Sequence, residues 1–264
     1  VTEPAALQKL LVWLSPAFPV GAFAWSAGLE TAIAERRTTD STSVQNWIEG
    51  ALVHGGIRTD AILLAQAWKV IAEASLPPSP TLPTRGRVSS GGEGSIAPHP
   101  RKDTSPLVGE AGRGGDQAPP LADLADLCLA LTPSTERHKE TLLTGESFVT
   151  AARTWPSDVY AKLPAPCPYP VAVGAIAGAH DIDLGDALIG YLTAAVHTQV
   201  SVAIRLVPLG QTDGLTIIAA LEPQIAALAS EAAAATLDDI GGMGYAADVA
   251  QMRHETLESR IFRS

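Results

Sequence analysis

The run TIIAALEPQIAALASEAAAATL, from Thr216 to Leu237, is built mainly from Ala, Leu and Ile and contains no glycine. Ala and Leu lose least conformational freedom on entering a helix. The run therefore predicts a helix, kinked at Pro223 where the ring removes a backbone donor. AILLAQAWKVIAEA, entered from Thr59 or Asp60, is apolar on most sides and belongs at the centre of a core. Aromatic residues are only 5% of the chain, which weighs against sheets. The expected fold class is all-α: a single-domain helical bundle.

The remaining helices follow from periodicity and caps. Ser41 can cap a helix whose Val44, Trp47, Ile48, Ala51 and Leu52 share one face, ending near Gly55 and Gly56. Others are expected over Leu121–Leu131, over Ser134–Trp155, in YPVAVGAIAGAH, after Asp183 through Leu188, Leu192, Ala195 and Val202, and in AADVAQMRHETLESR. VPLGQTDG interrupts this pattern with Pro208, Gly210 and Gly214. Gln211, Thr212 and Asp213 within it read as a structural turn, with Asp213 free to bond nearby backbone and partner contact as the second reading.

Residues 75–120 differ from everything around them. This stretch has no aromatic residue yet holds nine of the twenty prolines and eight glycines. It cannot bury enough apolar surface to offset its ordering entropy, so a long disordered Pro/Gly-rich insertion is expected, with an active-site lid as the alternative. The rest, 264 − 46 = 218 residues, is ample for one domain.

A formal net charge of −10 argues against nucleic acid or an anionic membrane as partner and favours a protein with a basic face. It also disfavours a helix-turn-helix regulator. Cys128 and Cys167 are too few for a disulfide framework or a CxxC zinc site, which suits a reducing cytoplasmic setting. The uncharged runs Leu10–Leu29 and Ala187–Ile204 read as core: the first is broken by Pro16, Pro19, Gly21 and Gly28, and the second carries His197, Gln199 and Ser201.

No phosphate loop, HExxH or GxSxG motif is present. Asp181, Asp183 and Asp186 suggest either a hard-cation site or, more simply, acidic capping of a helix start. An enzyme reading requires a small all-α hydrolase or metal-dependent enzyme whose site assembles from distant helices around Asp183, His197 and Glu255.

Three blocks carry a resemblance: SPAFPVGAFAWSAGLE from Ser15 to Glu30, RLVPLGQTDG from Arg205 to Gly214, and MRHETLESRIFRS from Met252 to Ser264. Together, and in this order, they resemble the urease accessory protein UreF family over nearly all of the chain outside the insertion. Trp25 and Ala27 stand where many members have Tyr and His. The resemblance implies a non-enzymatic homodimer in nickel urease maturation. Such proteins bind a UreD-type partner (UreH in some bacteria) and recruit the GTPase UreG to apo-urease. Nickel and GTP are then handled by partners, with no cofactor or metal bound by the chain itself.

The same reading gives candidate contact residues. Ser26, Gly28 and Glu30 lie in a block readable as a shaped contact surface toward the GTPase or a second copy, or as an ordinary core-facing turn. Residues 256–264 read as a partner-binding tail for the UreD-type protein. Arg260, Ile261, Phe262, Arg263 and Ser264 offer an aromatic anchor and two guanidiniums, with too few neighbours of their own to make a core. Arg253, His254 and Glu255 help to fix that tail or a dimer surface.

Overall fold

The computed structural model describes residues 2–74, 120–242 and 244–263. These form ten α-helices and three short 3-10 turns, with no strand among the described residues. Helices before and after the expected insertion belong to one packed unit. Apart from Pro120, the insertion lies outside the described residues.

In the first half, α1 (Pro4–Trp13) is followed by α2 (Leu29–Ala34), α3 (Ser41–His54) and α4 (Gly56–Ala74). α1 was masked in the sequence by the uncharged run it enters. Pro4 sits in its first turn, where the missing donor costs nothing, and Ala6, Leu10 and Trp13 bury one stripe. α3 is capped by Asp40 and not, as expected, by Ser41. The Asp40 carboxylate accepts from the Ser43 amide at 2.8 Å while the Ser43 hydroxyl takes the Asp40 amide at 3.1 Å, a reciprocal pair that Ser41 is one residue too late to make. α4 begins at Gly56 and not at Thr59 or Asp60, because the Arg58 and Thr59 amides already bond to the Gly55 carbonyl.

The second half contains α5 (Leu121–Ala130), α6 (Thr135–Ala152), α7 (Tyr169–Ala179), α8 (Leu184–Leu206), α9 (Gln211–Ala234) and α10 (Tyr245–His254). α9 runs through Pro223 as one continuous helix. Its first residue is Gln211, so Gln211, Thr212 and Asp213 form the first helical turn instead of a separate loop. Asp213 accepts from the Gly210 amide at 2.8 Å. α8 and α9 are long and apolar enough to cross a membrane by length and composition alone. About half of the relevant stretch of α8 and a third of that of α9 are buried within the protein, and the two pack on each other.

α7 is the centre. Every residue from Pro170 to Ala177 is buried, as befits a helix with apolar surface all round. α4 lies closest against it. A Cβ at Gly174 would sit 2.2 Å from the Leu64 carbonyl oxygen, so only glycine permits this approach. At one end, Trp13 packs edge-on to Phe148 and Trp155, and His180 lies 5.2 Å from Trp13 between ring centroids. The His180 Nδ1 is 3.3 Å from the Lys9 ammonium. Burial and that ammonium hold the imidazole below its ordinary pKa of 6.5.

Gly174→Ala is expected to cost about 1–3 kcal/mol by forcing α4 from α7, whereas Gly50→Ala, in mid-helix with nothing within 4 Å, is expected to gain about 0.5–1 kcal/mol. Urea unfolding of the two variants checks the opposite signs. Because the folded state resists protonating His180, the unfolded chain takes up that proton first, so stability falls as pH drops below about 6.5. His180→Asn is expected to flatten this decline in unfolding curves taken at successive pH values.

Candidate functional site

Glu30 is the second residue of α2, yet it is only 5% exposed. The turn that delivers it needs Gly28, whose φ is +81° and whose added Cβ would lie 2.9 Å from the Gln251 amide nitrogen of α10. The Ser26 hydroxyl is fully buried beneath the same turn and accepts from the Glu30 amide at 3.4 Å. Ser26, Gly28 and Glu30 thus face inward. Of the two readings of this block, their burial favours the core-facing turn over the contact surface, with the six-residue helix packed on α10.

What Glu30 faces is the C-terminal tail. Its Oε1 accepts from the Ile261 amide at 2.7 Å and its Oε2 from the Phe262 amide at 3.0 Å. His254, the last residue of α10 and fully buried, places Nε2 2.9 Å from Glu30 Oε2 and Nδ1 2.7 Å from Glu136 Oε2. Each ring nitrogen therefore meets a carboxylate oxygen. Glu136, in the first turn of α6, also accepts from Arg260 Nη1 at 2.8 Å. Two carboxylates, His254 and Arg260 thereby lock α2, α6, α10 and the tail together.

The tail is held further along. The Arg263 amide donates to the Ala24 carbonyl at 2.8 Å. Phe262 is 6% exposed and joins the core, with the Arg205 guanidinium 5.8 Å from its ring centre, and Arg263 lies at the same distance from the buried Trp25 ring. The expectation that this segment has too few neighbours for a core is corrected for Phe262, because residues distant in sequence supply them. Ile261, in contrast, is 73% exposed. Arg253 pairs with Glu35 at 3.0 Å, and Glu255 accepts from the Thr135 amide at 2.9 Å, closing the start of α6. Ser264 lies outside the described residues.

A second polar centre, invisible to sequence reasoning, joins Asp60, Arg137 and Tyr191. Arg137 Nη2 meets Asp60 Oδ2, and the Tyr191 hydroxyl donates to the same oxygen at 3.0 Å. The only hint was an Asp immediately before the apolar run AILLA of α4.

The residues of the enzyme reading are not brought together. Asp183 caps α8, accepting from the Gly185 and Asp186 amides. His197 is exposed fourteen positions along, about 21 Å away at helical rise. Glu255 is committed to α6. Asp186 accepts from the Thr2 amide at 3.3 Å and from its hydroxyl at 2.5 Å. Among the described residues no three His, Cys, Asp or Glu side chains converge as metal ligands. Burial pushes the Cys128 and Cys167 thiols up to about 12, so neither is a thiolate nucleophile at neutral pH.

These features define a helical protein whose most connected polar cluster fixes its own C-terminal tail. A sequence model described as UreF matches residues 38–222. The chain is 42% identical over 262 residues to the urease accessory protein UreF of Rhizobium etli strain CFN 42, covering 99% of this chain and 98% of that one. It is 39% identical over 260 residues to that of Agrobacterium fabrum, covering 98% and 97%. For that of Rhodopseudomonas palustris the identity is 37% over 267 residues, covering 99% and 95%. The chain belongs to the UreF family of urease accessory proteins, whose name implies an accessory rather than a catalytic role.

Removing the Glu30 carboxylate would leave two tail amides and His254 without their acceptor. Glu30→Ala is expected to cost about 3–5 kcal/mol and to raise hydrogen exchange at the Ile261 and Phe262 amides well above that of α7. Unchanged exchange at those two amides would show that the tail is held some other way.

Proposed function

We propose that this chain is a non-enzymatic scaffold in urease maturation. With a UreD/UreH-type partner it recruits the GTPase UreG to apo-urease for nickel insertion. It works in the cytoplasm as a homodimer, and nickel and GTP stay with its partners. Family membership supports the reading, and the observation that carries it here is the way the tail is held. Main-chain amides 261–263 and the Phe262 ring are anchored to the body, so Ile261, at 73% exposure, is presented outward on a fixed backbone between Arg260 and Arg263. An exposed aliphatic side chain flanked by guanidiniums on a preorganised segment suits a partner surface, because little ordering entropy remains to be lost on binding. Ser26, Gly28 and Glu30 act on this surface from beneath, by positioning it.

Co-purification with the UreD-type partner, followed by addition of UreG, tests the proposal. The full chain is expected to assemble. A chain ending at Glu258, and separately Ile261→Asp, are expected to lose at least about tenfold in capture while circular dichroism melting shows Ile261→Asp still folded. Undiminished capture by folded Ile261→Asp would remove the tail surface, and failure of the folded full chain to bind would remove the scaffold reading.

A further inference from the structure

A cavity of about 640 Å³ lies beside α1 and the segment that follows it, reaching α6 and α8. Its size falls in the range of small-molecule sites. Leu10, Leu14, Phe18, Val20, Trp47 and Ile57 give it apolar walls. α8 contributes polar groups such as Thr193, Thr198 and Gln199, and one stripe of α6 carries Arg137, Glu140 and Thr144 at helical spacing, with Asp60 and Tyr191 beside Arg137.

That polar region is incompletely satisfied. Arg137 turns one nitrogen to Asp60 and brings the other to 2.9 Å from Glu140 Oε2. Glu140 Oε2 has no donor beyond that guanidinium. Thr144 Oγ1 and Gln251 Oε1 are buried and unpartnered, on residues only 3% and 6% exposed that both line the cavity. Buried acceptors of this kind are costly unless something donates to them. One guanidinium also faces two carboxylates. Among the described lining residues the other titratable side chains are the exposed His197 and the buried phenols of Tyr169 and Tyr191, held neutral because burial raises their pKa, so this largely enclosed set carries a formal excess of one negative charge.

We propose that this cavity binds a small primary ammonium compound with an alkyl or arylalkyl body. The ammonium group sits by Glu140 and Thr144, supplying the missing donors and the missing positive charge. The body lies against Leu10, Leu14 and Phe18. A neutral occupant or water can satisfy the acceptors but leaves the charge excess buried, which is the larger cost. A bare metal ion suits the site less, since among the described residues no third His, Cys, Asp or Glu side chain converges there. The inference is independent of the tail surface, which shares neither Glu140 nor Thr144.

Calorimetry and methyl NMR on the full chain test it, with n-hexylammonium chloride and its neutral counterpart 1-hexanol as probes. Saturable binding of one hexylammonium per chain is expected, at least about tenfold tighter than hexanol, with shifts at the Leu10, Leu14 and Val20 methyls. Glu140→Gln is expected to abolish the preference for the ammonium; if that variant does not fold, Thr144→Val, close in shape, is expected to weaken it. Absence of saturable binding, equal affinity for the two probes, shifts away from those methyls, or a preference unchanged in a folded variant would each overturn the proposal.

Discussion

A carboxylate taken out of water must have its lone pairs filled and its charge answered, and Glu30 meets both conditions only because the end of the chain returns to it. Its two oxygens receive consecutive tail amides, and one also meets His254. His254 passes the connection to Glu136, and Glu136 to Arg260. Four separated segments thus share one charge balance. α2, with six residues, is too short to be stable by itself. Its place on α10 depends on this cluster and on the bare backbone of Gly28. The surface proposed to meet a partner is therefore a consequence of a buried interaction, and the exposed Ile261 owes its position to the residues on either side of it being tied down.

Much of the fold was legible because helices record themselves locally. Apolar residues three and four apart located the faces of α3 and α8, the Ala-, Leu- and Ile-rich run gave α9, and Asp183 announced the start of α8. The errors were also local and physical. Ser41 and Asp40 are both good caps, and only the reciprocal bond with Ser43 decides between them. Gly55 and Gly56 suggested a longer break than one residue. The site was legible only in pieces. Glu30 and His254 stood out within their blocks, but their 224-residue separation leaves no periodic trace, and Glu136 looked like any acid in a first helical turn. Phe262 looked like a surface anchor because a short chain end has too few neighbours of its own to make a core, whereas its packing partners come from elsewhere in the chain.

The two polar centres settle the same electrostatic problem differently. Around His254, acids and bases are matched, every carboxylate oxygen has a partner, and the result is a fixed joint. Around Arg137, one guanidinium serves two acids at the edge of an apolar chamber, and neighbouring acceptors stay empty. Polar clusters that close on themselves rigidify a fold, while clusters left open invite something else to complete them. Gly174 of α7 admits the α4 backbone and Gly145 of α6 admits the backbone at the start of α7, so the helices that carry Asp60, Glu136 and Glu140 both lie against α7.

The distance along the chain between Glu30 and the amides it binds, 231 and 232 residues, also has a consequence for biosynthesis. A nascent chain emerges from the ribosome in order, so α2 is made long before α10 and the tail exist. Until they follow, the Glu30 carboxylate lacks the tail amides and His254, and α2 has α8 but not α10 to pack against. Closure of this corner is therefore a late event in the life of each new molecule, and the surface proposed for recognition comes into being only when synthesis has passed residue 262.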